Sequence, residues 1–152
     1  MFNLVPLIGY CLALIIIAQS VAPVPPESTL ATGKDLYIQH CSSCHLPIAA
    51  EVLPTETWKE ILERPQNHYG TSVTDLVRIS QVVIWQYLMT LSRPLRPQEV
   101  QPTFVRDSRY FKALHPRVEF PDVVNSYGCI ACHPGAQQAN YQQLTSQWDD
   151  AP

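Results

Sequence analysis

Four of the five cysteines fall into two identical arrangements, Cys41-Ser42-Ser43-Cys44-His45 and Cys129-Ile130-Ala131-Cys132-His133. Positions i and i+3 share one face of a helical turn, so each motif presents two thiols together with an adjoining imidazole. That is the attachment signature of haem c, in which the thiols add to the two vinyl groups and the histidine becomes the proximal iron ligand. Three other chemistries use the same cysteines. A structural zinc would span a long gap between the pairs and leave both histidines idle. Two disulfides suit an oxidising compartment. A thioredoxin-like pair expects a βαβ setting, which a chain with 14 prolines does not offer. The recurrence of the histidine favours haem, giving two covalent haem c groups on Cys41, Cys44, Cys129 and Cys132, with His45 and His133 as proximal ligands.

Composition makes the same demand. Residues 1–26 carry no charged side chain, and Leu4–Ala18 is almost unbroken apolar sequence. Residues 1–22 therefore read as a signal peptide or an N-terminal membrane anchor, which places the body outside the cytoplasm. What remains is proline-rich and small, with little apolar surface to bury. Two macrocycles would supply that surface, so folding is expected to depend on them. A net charge of −3 over 152 residues gives no basic footprint for nucleic acid. The charges are uneven, however: residues 76–118 hold seven bases against two acids. Arg93, Arg96, Arg106 and Arg109 are candidates to neutralise haem propionates, or alternatively to dock an acidic partner.

Two further histidines, His68 and His115, match the number of sixth ligands that two haems need. His40, next to Cys41, is expected to point away from the iron. Met89 is the one methionine beyond Met1, so two His/Met irons are impossible; it reads as packing. Following chain order, His45 pairs with His68 and His133 with His115. A helix is expected over Lys34–His45. Thr57-Trp58-Lys59-Glu60 and Ser72-Val73-Thr74-Asp75 look like capping boxes, the second opening the longest helix, to about Leu91. Pro94, Pro97 and Pro102 mark an extended connector, and short helices are expected over Arg106–Leu114 and Asp122–Cys132.

Gly33-Lys34-Asp35-Leu36-Tyr37 before Cys41 resembles the first helix of class I cytochromes c. The series Cys-Ser-Ser-Cys-His, Leu53-Pro54 with Trp58, Asn67-His68-Tyr69-Gly70, a long helix, Phe104–His115 and a terminal Cys-Ile-Ala-Cys-His-Pro-Gly-Ala is similar to the dihaem cytochrome c family of bacterial electron-transfer proteins. Asn67 stands where that family typically has an acid. The resemblance implies a mainly α fold, with a class I-like haem half over residues 30–92. A less regular connector and second haem-binding half would follow over 93–142, then a mobile tail over 143–152. It also implies His68 and His115 as distal ligands of two low-potential haems in a periplasmic electron carrier. The implied partners are another haem protein or a membrane b-type cytochrome. The competing class is a haem enzyme, a peroxidase or small-oxyanion reductase, with one displaceable axial ligand.

Overall fold

The computed structural model describes residues 26–121 and 123–149, and the regular structure among them is helical. Helices α1 (Glu27–Cys41), α2 (Thr55–Glu63), α3 (Arg78–Leu91), α4 (Arg109–Leu114) and α5 (Ser146–Asp149) are joined by loops. Those loops contain 3-10 turns at Ala50–Val52, Pro65–Asn67, Val105–Asp107, Ser126–Ala131 and Ala136–Gln138. Two isolated bridges, Pro54 with Arg93 and His68 with Thr71, are the β pairing found among the described residues. The mainly α class expected from sequence is the class observed. No helix of the described residues is long and apolar enough to cross a membrane. The apolar segment 1–22 lies outside them.

The frame is the crossing of α1 on α3. Buried Ser80, Ile84, Tyr87 and Leu88 make the i, i+4, i+7, i+8 stripe by which α3 faces inward. Gly33 sits at the crossing, where an added Cβ would lie 2.6 Å from the Tyr87 Cβ and 2.9 Å from the Val83 carbonyl oxygen. Only a residue without a side chain lets the two backbones come this close. Gly33 is thus inside α1, not at its start. The helix begins at Glu27, directly after Pro26, with an acid in the first turn where the helix dipole favours one. It ends at Cys41, so the first motif occupies the helix terminus and the turn beyond it.

Neither expected capping box caps a helix. Helix α2 opens at Thr55 behind Pro54, and the Thr57 hydroxyl instead donates to the Pro102 carbonyl at 3.2 Å. Helix α3 opens only at Arg78. The preceding stretch is held in the loop by Val73 N–H donating to the Pro65 carbonyl at 2.9 Å. The expected helix ending at Cys132 is reduced to the 3-10 turn Ser126–Ala131, capped by Asn125; Asp122 lies outside the described residues. Met89 is 39% exposed on α3, so the packing role expected of it is not observed.

Tyr37, Leu53, Trp58, Leu62, Ile84, Leu88 and Phe111 are members of one buried cluster. Trp58 Nε1 donates to the Ala50 carbonyl at 2.9 Å, and the Tyr37 hydroxyl to the Ile48 carbonyl at 2.7 Å. Phe111, with Val105, Phe120 and Val124 packed around the same cluster, comes from beyond residue 92. The second half therefore shares the core of the first.

Candidate functional site

Cys41 closes α1, and Cys44 and His45 follow on the turn. The His45 Nδ1–H donates to the Leu46 carbonyl at 2.7 Å. Because a carbonyl can only accept, this bond puts the proton on Nδ1 and leaves the Nε2 lone pair for a metal. His68 is delivered to the opposite side by a tight reversal. His68 and Thr71 exchange both main-chain hydrogen bonds at 2.9 Å, with Tyr69 (φ 50°) and Gly70 (φ 84°) between them. Two consecutive positive φ values make a type I′ turn, and Gly70 supplies the conformation that side chains resist most. Tyr69 is pinned by its hydroxyl to the Thr103 carbonyl at 2.6 Å and sets its ring edgewise against His68 at 5.0 Å.

The His45 and His68 ring centroids are 5.9 Å apart, with planes 25° from parallel. Two imidazoles bound to one metal through bonds of about 2.0–2.1 Å place their centroids roughly 6 Å apart. Beside the pair is a cavity of about 560 Å³ whose wall includes Cys41, Cys44, Leu53, Trp58, Ile61 and Leu62, with Arg106 as its Lys or Arg member. Its size and apolar lining suit a cofactor. His40, expected to turn away, contributes to this wall.

The second site is assembled from shorter pieces. In a 3-10 helix residues i and i+3 eclipse, which aligns Cys129 with Cys132 at the end of the Ser126–Ala131 turn. The His133 Nδ1–H donates to the Tyr141 carbonyl at 3.0 Å. His115 caps the end of α4 and donates its Nδ1–H back to the Phe111 carbonyl at 2.8 Å. The two rings stand 6.1 Å apart, with planes crossed at 87°. Trp148 of α5 faces both, at 5.7 Å from His115 and 6.3 Å from His133. Within the tail expected to be mobile over 143–152, Thr145 and Trp148 make contacts with the second site. Thr145 N–H donates to the Cys132 carbonyl at 2.9 Å, and its hydroxyl to the Ala131 carbonyl at 2.7 Å.

The structure thus brings together the histidines that chain order paired, each pair beside its own Cys-x-x-Cys. No cluster of three or more His, Cys, Asp or Glu able to hold a metal occurs among the described residues. Burial, followed by the neighbouring His45, lowers the basicity of His68; burial likewise lowers that of His133. Both imidazoles are therefore neutral at physiological pH, the form that ligates. Two neighbours of the second site, Tyr141 and Trp148, lie outside the motifs that the sequence singles out. Of the four arginines considered for propionates, Arg109 is committed elsewhere, 2.7 Å from Glu99 and stacked over Tyr110. Arg106 is the one that lines the first cavity.

The fold and these two sites define a small helical c-type cytochrome. A sequence model of the dihaem cytochrome c family matches residues 37–141. The chain belongs to that family, and its cofactors are two covalently bound haem c groups. Two solved structures are similar. One is a diheme cytochrome type c from Shewanella baltica OS155, 23% identical, covering 72% of this chain and 88% of that one with a TM-score of 0.50. The other, DHC from Rhodobacter sphaeroides, is 25% identical and covers 70% of this chain and 96% of that one with a TM-score of 0.51. No curated protein matches the chain.

Proposed function

We propose that this protein is an electron carrier whose two haems are each held between two histidines, His45 with His68 and His133 with His115. The observation that carries the reading is the spacing of the two imidazole pairs, 5.9 and 6.1 Å, each beside its own pair of thiols. The haems supply one-electron chemistry when bound; the chain's part is to attach, orient and shield them. Cys41, Cys44, Cys129 and Cys132 fix them covalently. Main-chain carbonyls orient three of the four imidazoles and raise their donor strength. Leu53, Trp58 and Leu62 exclude water from the first site. With His45 and His68 holding one haem and His133 and His115 the other, neither iron would offer a place for a substrate, and the lack of a Met ligand would favour low potentials.

The competing reading, a haem enzyme, is favoured by one detail. Among the described residues, His68 is the imidazole of the four without a carbonyl partner for Nδ1. A displaceable ligand would therefore be His68. The ferric optical spectrum separates the two: low-spin iron throughout supports the carrier, and a high-spin fraction that grows with added small ligands would overturn it. His68→Met and His115→Met should each raise one haem potential and leave the other nearly unchanged; a titration in which neither moves removes these residues from the ligand set. The family points to an extracytoplasmic location, and we place the protein in the periplasm, exported or tethered through residues 1–22. Its partners on this reading are another haem protein or a membrane b-type cytochrome.

A further inference from the structure

The two imidazole pairs have nearly the same separation and opposite orientations. His45 and His68 are 25° from parallel, whereas His115 and His133 are crossed at 87°. A ring held by metal at Nε2 and by a fixed carbonyl at Nδ1 has no free rotation left, so the carbonyls decide the angle. At the second site these are Phe111, one turn back in α4, and Tyr141. Phe111 and Phe120 flank the His115 ring at 4.5 and 5.3 Å and oppose its reorientation.

Tyr141 reaches further. Its carbonyl accepts from His133, and its ring lies 5.2 Å from that imidazole at 61°. Its hydroxyl donates to the Pro47 carbonyl at 2.8 Å. Pro47 is fully buried and directly follows Leu46, whose carbonyl accepts from His45. One residue therefore touches the supports of both proximal imidazoles. Burial holds its phenol well above the ordinary value, so the hydroxyl remains a donor at every pH at which the protein is handled.

We propose that the chain holds its two histidine pairs in different relative orientations, aligned at the first haem and crossed at the second, and that Tyr141 is the positioning residue that fixes the crossed pair and ties it to the first site. The proposal rests on the bis-histidine reading above. The physical consequence is electronic. Aligned imidazole planes push their π density into the same iron d orbital and split it from its partner. Crossed planes act on both orbitals alike and leave them nearly degenerate. The two ferric irons are then spectroscopically distinct although their ligands are the same.

The test is low-temperature electron paramagnetic resonance of the oxidised, haem-loaded protein. The expected result is one rhombic low-spin signal with three resolved lines and one strongly anisotropic low-spin signal with a single low-field feature. Two rhombic signals would overturn the crossed geometry while leaving bis-histidine ligation standing; a high-spin signal would overturn the ligation itself. Tyr141→Phe keeps the ring and the carbonyl and deletes only the bond to Pro47. In that variant the anisotropic feature should broaden and shift toward the rhombic type. An unchanged spectrum in a less stable Tyr141→Phe protein would reduce Tyr141 to packing and remove it as a positioning residue.

Discussion

Gly33→Ala opposes two effects of different sign. Alanine favours a helix interior over glycine by about 0.5–1 kcal/mol, so an unhindered substitution in α1 would stabilise the protein. At this position the new methyl would meet the Tyr87 Cβ at 2.6 Å and the Val83 carbonyl oxygen at 2.9 Å. Neither is the free end of a flexible side chain, so relief requires α1 and α3 to separate. That loosens the Tyr37 contacts with Trp58 and Tyr87, both at 5.9 Å between ring centroids. An approach of 2.6 Å puts the overpacking cost in the upper half of the usual range of about 1–3 kcal/mol, which outweighs the helix gain and leaves a net loss of about 1–2 kcal/mol. For a body of this size the loss lowers Tm by roughly 3–10 °C. Thermal unfolding of the haem-loaded protein, followed by circular dichroism and by the haem absorbance, reads it directly. Gly128→Ala is the control, because its Cβ would meet nothing within 4 Å. A Gly33→Ala protein as stable as wild type, or more so, would refute the close crossing.

Arg106→Gln should lower the potential of the first haem only, since it removes a positive charge from that cavity wall. For scale, a unit charge acting over about 10 Å at an effective dielectric of 20–80 is worth about 20–70 mV in a redox titration. Arg109→Gln should leave both potentials in place and cost up to about 1 kcal/mol in denaturant unfolding, because the pair is only partly buried and solvent still screens it. The Arg96 main-chain N–H and then the Arg109 guanidinium hold the Glu99 carboxyl below the usual carboxylate range. A lowered carboxylate contributes stability above its unfolded pKa and loses it as pH falls through the folded one. The stability gap between wild type and Glu99→Gln should accordingly be present at neutral pH and close in acid; a gap that persists below the carboxylate range would contradict the pairing.

The chemistry was more legible than the helices that present it. Cys-x-x-Cys-His is a local signal, and pairing His45 with His68 and His133 with His115 needed only chain order. Helix starts were misread because capping residues have tertiary uses: the Thr57 hydroxyl serves the Pro102 carbonyl and caps nothing. The first helix was expected only from Lys34, yet Gly33 lies inside α1, where its lack of a side chain admits Tyr87, a residue far along the chain. Tyr141 and Trp148 were invisible for the same reason. Each acts on a site across many residues of sequence, Tyr141 through its main-chain carbonyl, which any residue possesses.

The basic stretch 76–118 is the remaining sequence signal, and the structure divides it. Arg109 serves the connector, joined to Glu99 and stacked on Tyr110, whose hydroxyl donates to the Pro94 carbonyl. These contacts brace the loop that leads into α4, and α4 ends at His115. Arg109 therefore supports the backbone that leads to His115, and its charge is balanced by Glu99. Arg106, on the adjoining 3-10 turn, lines the first cavity. Two arginines three positions apart thus have different settings, one in the connector and one in the wall of the first cavity. Neutralising Arg106 changes an electrostatic quantity, and neutralising Arg109 a mechanical one. If the stretch were a docking patch for an acidic partner, both substitutions would instead slow association with that partner, and the slowing would fade as salt rises past physiological strength.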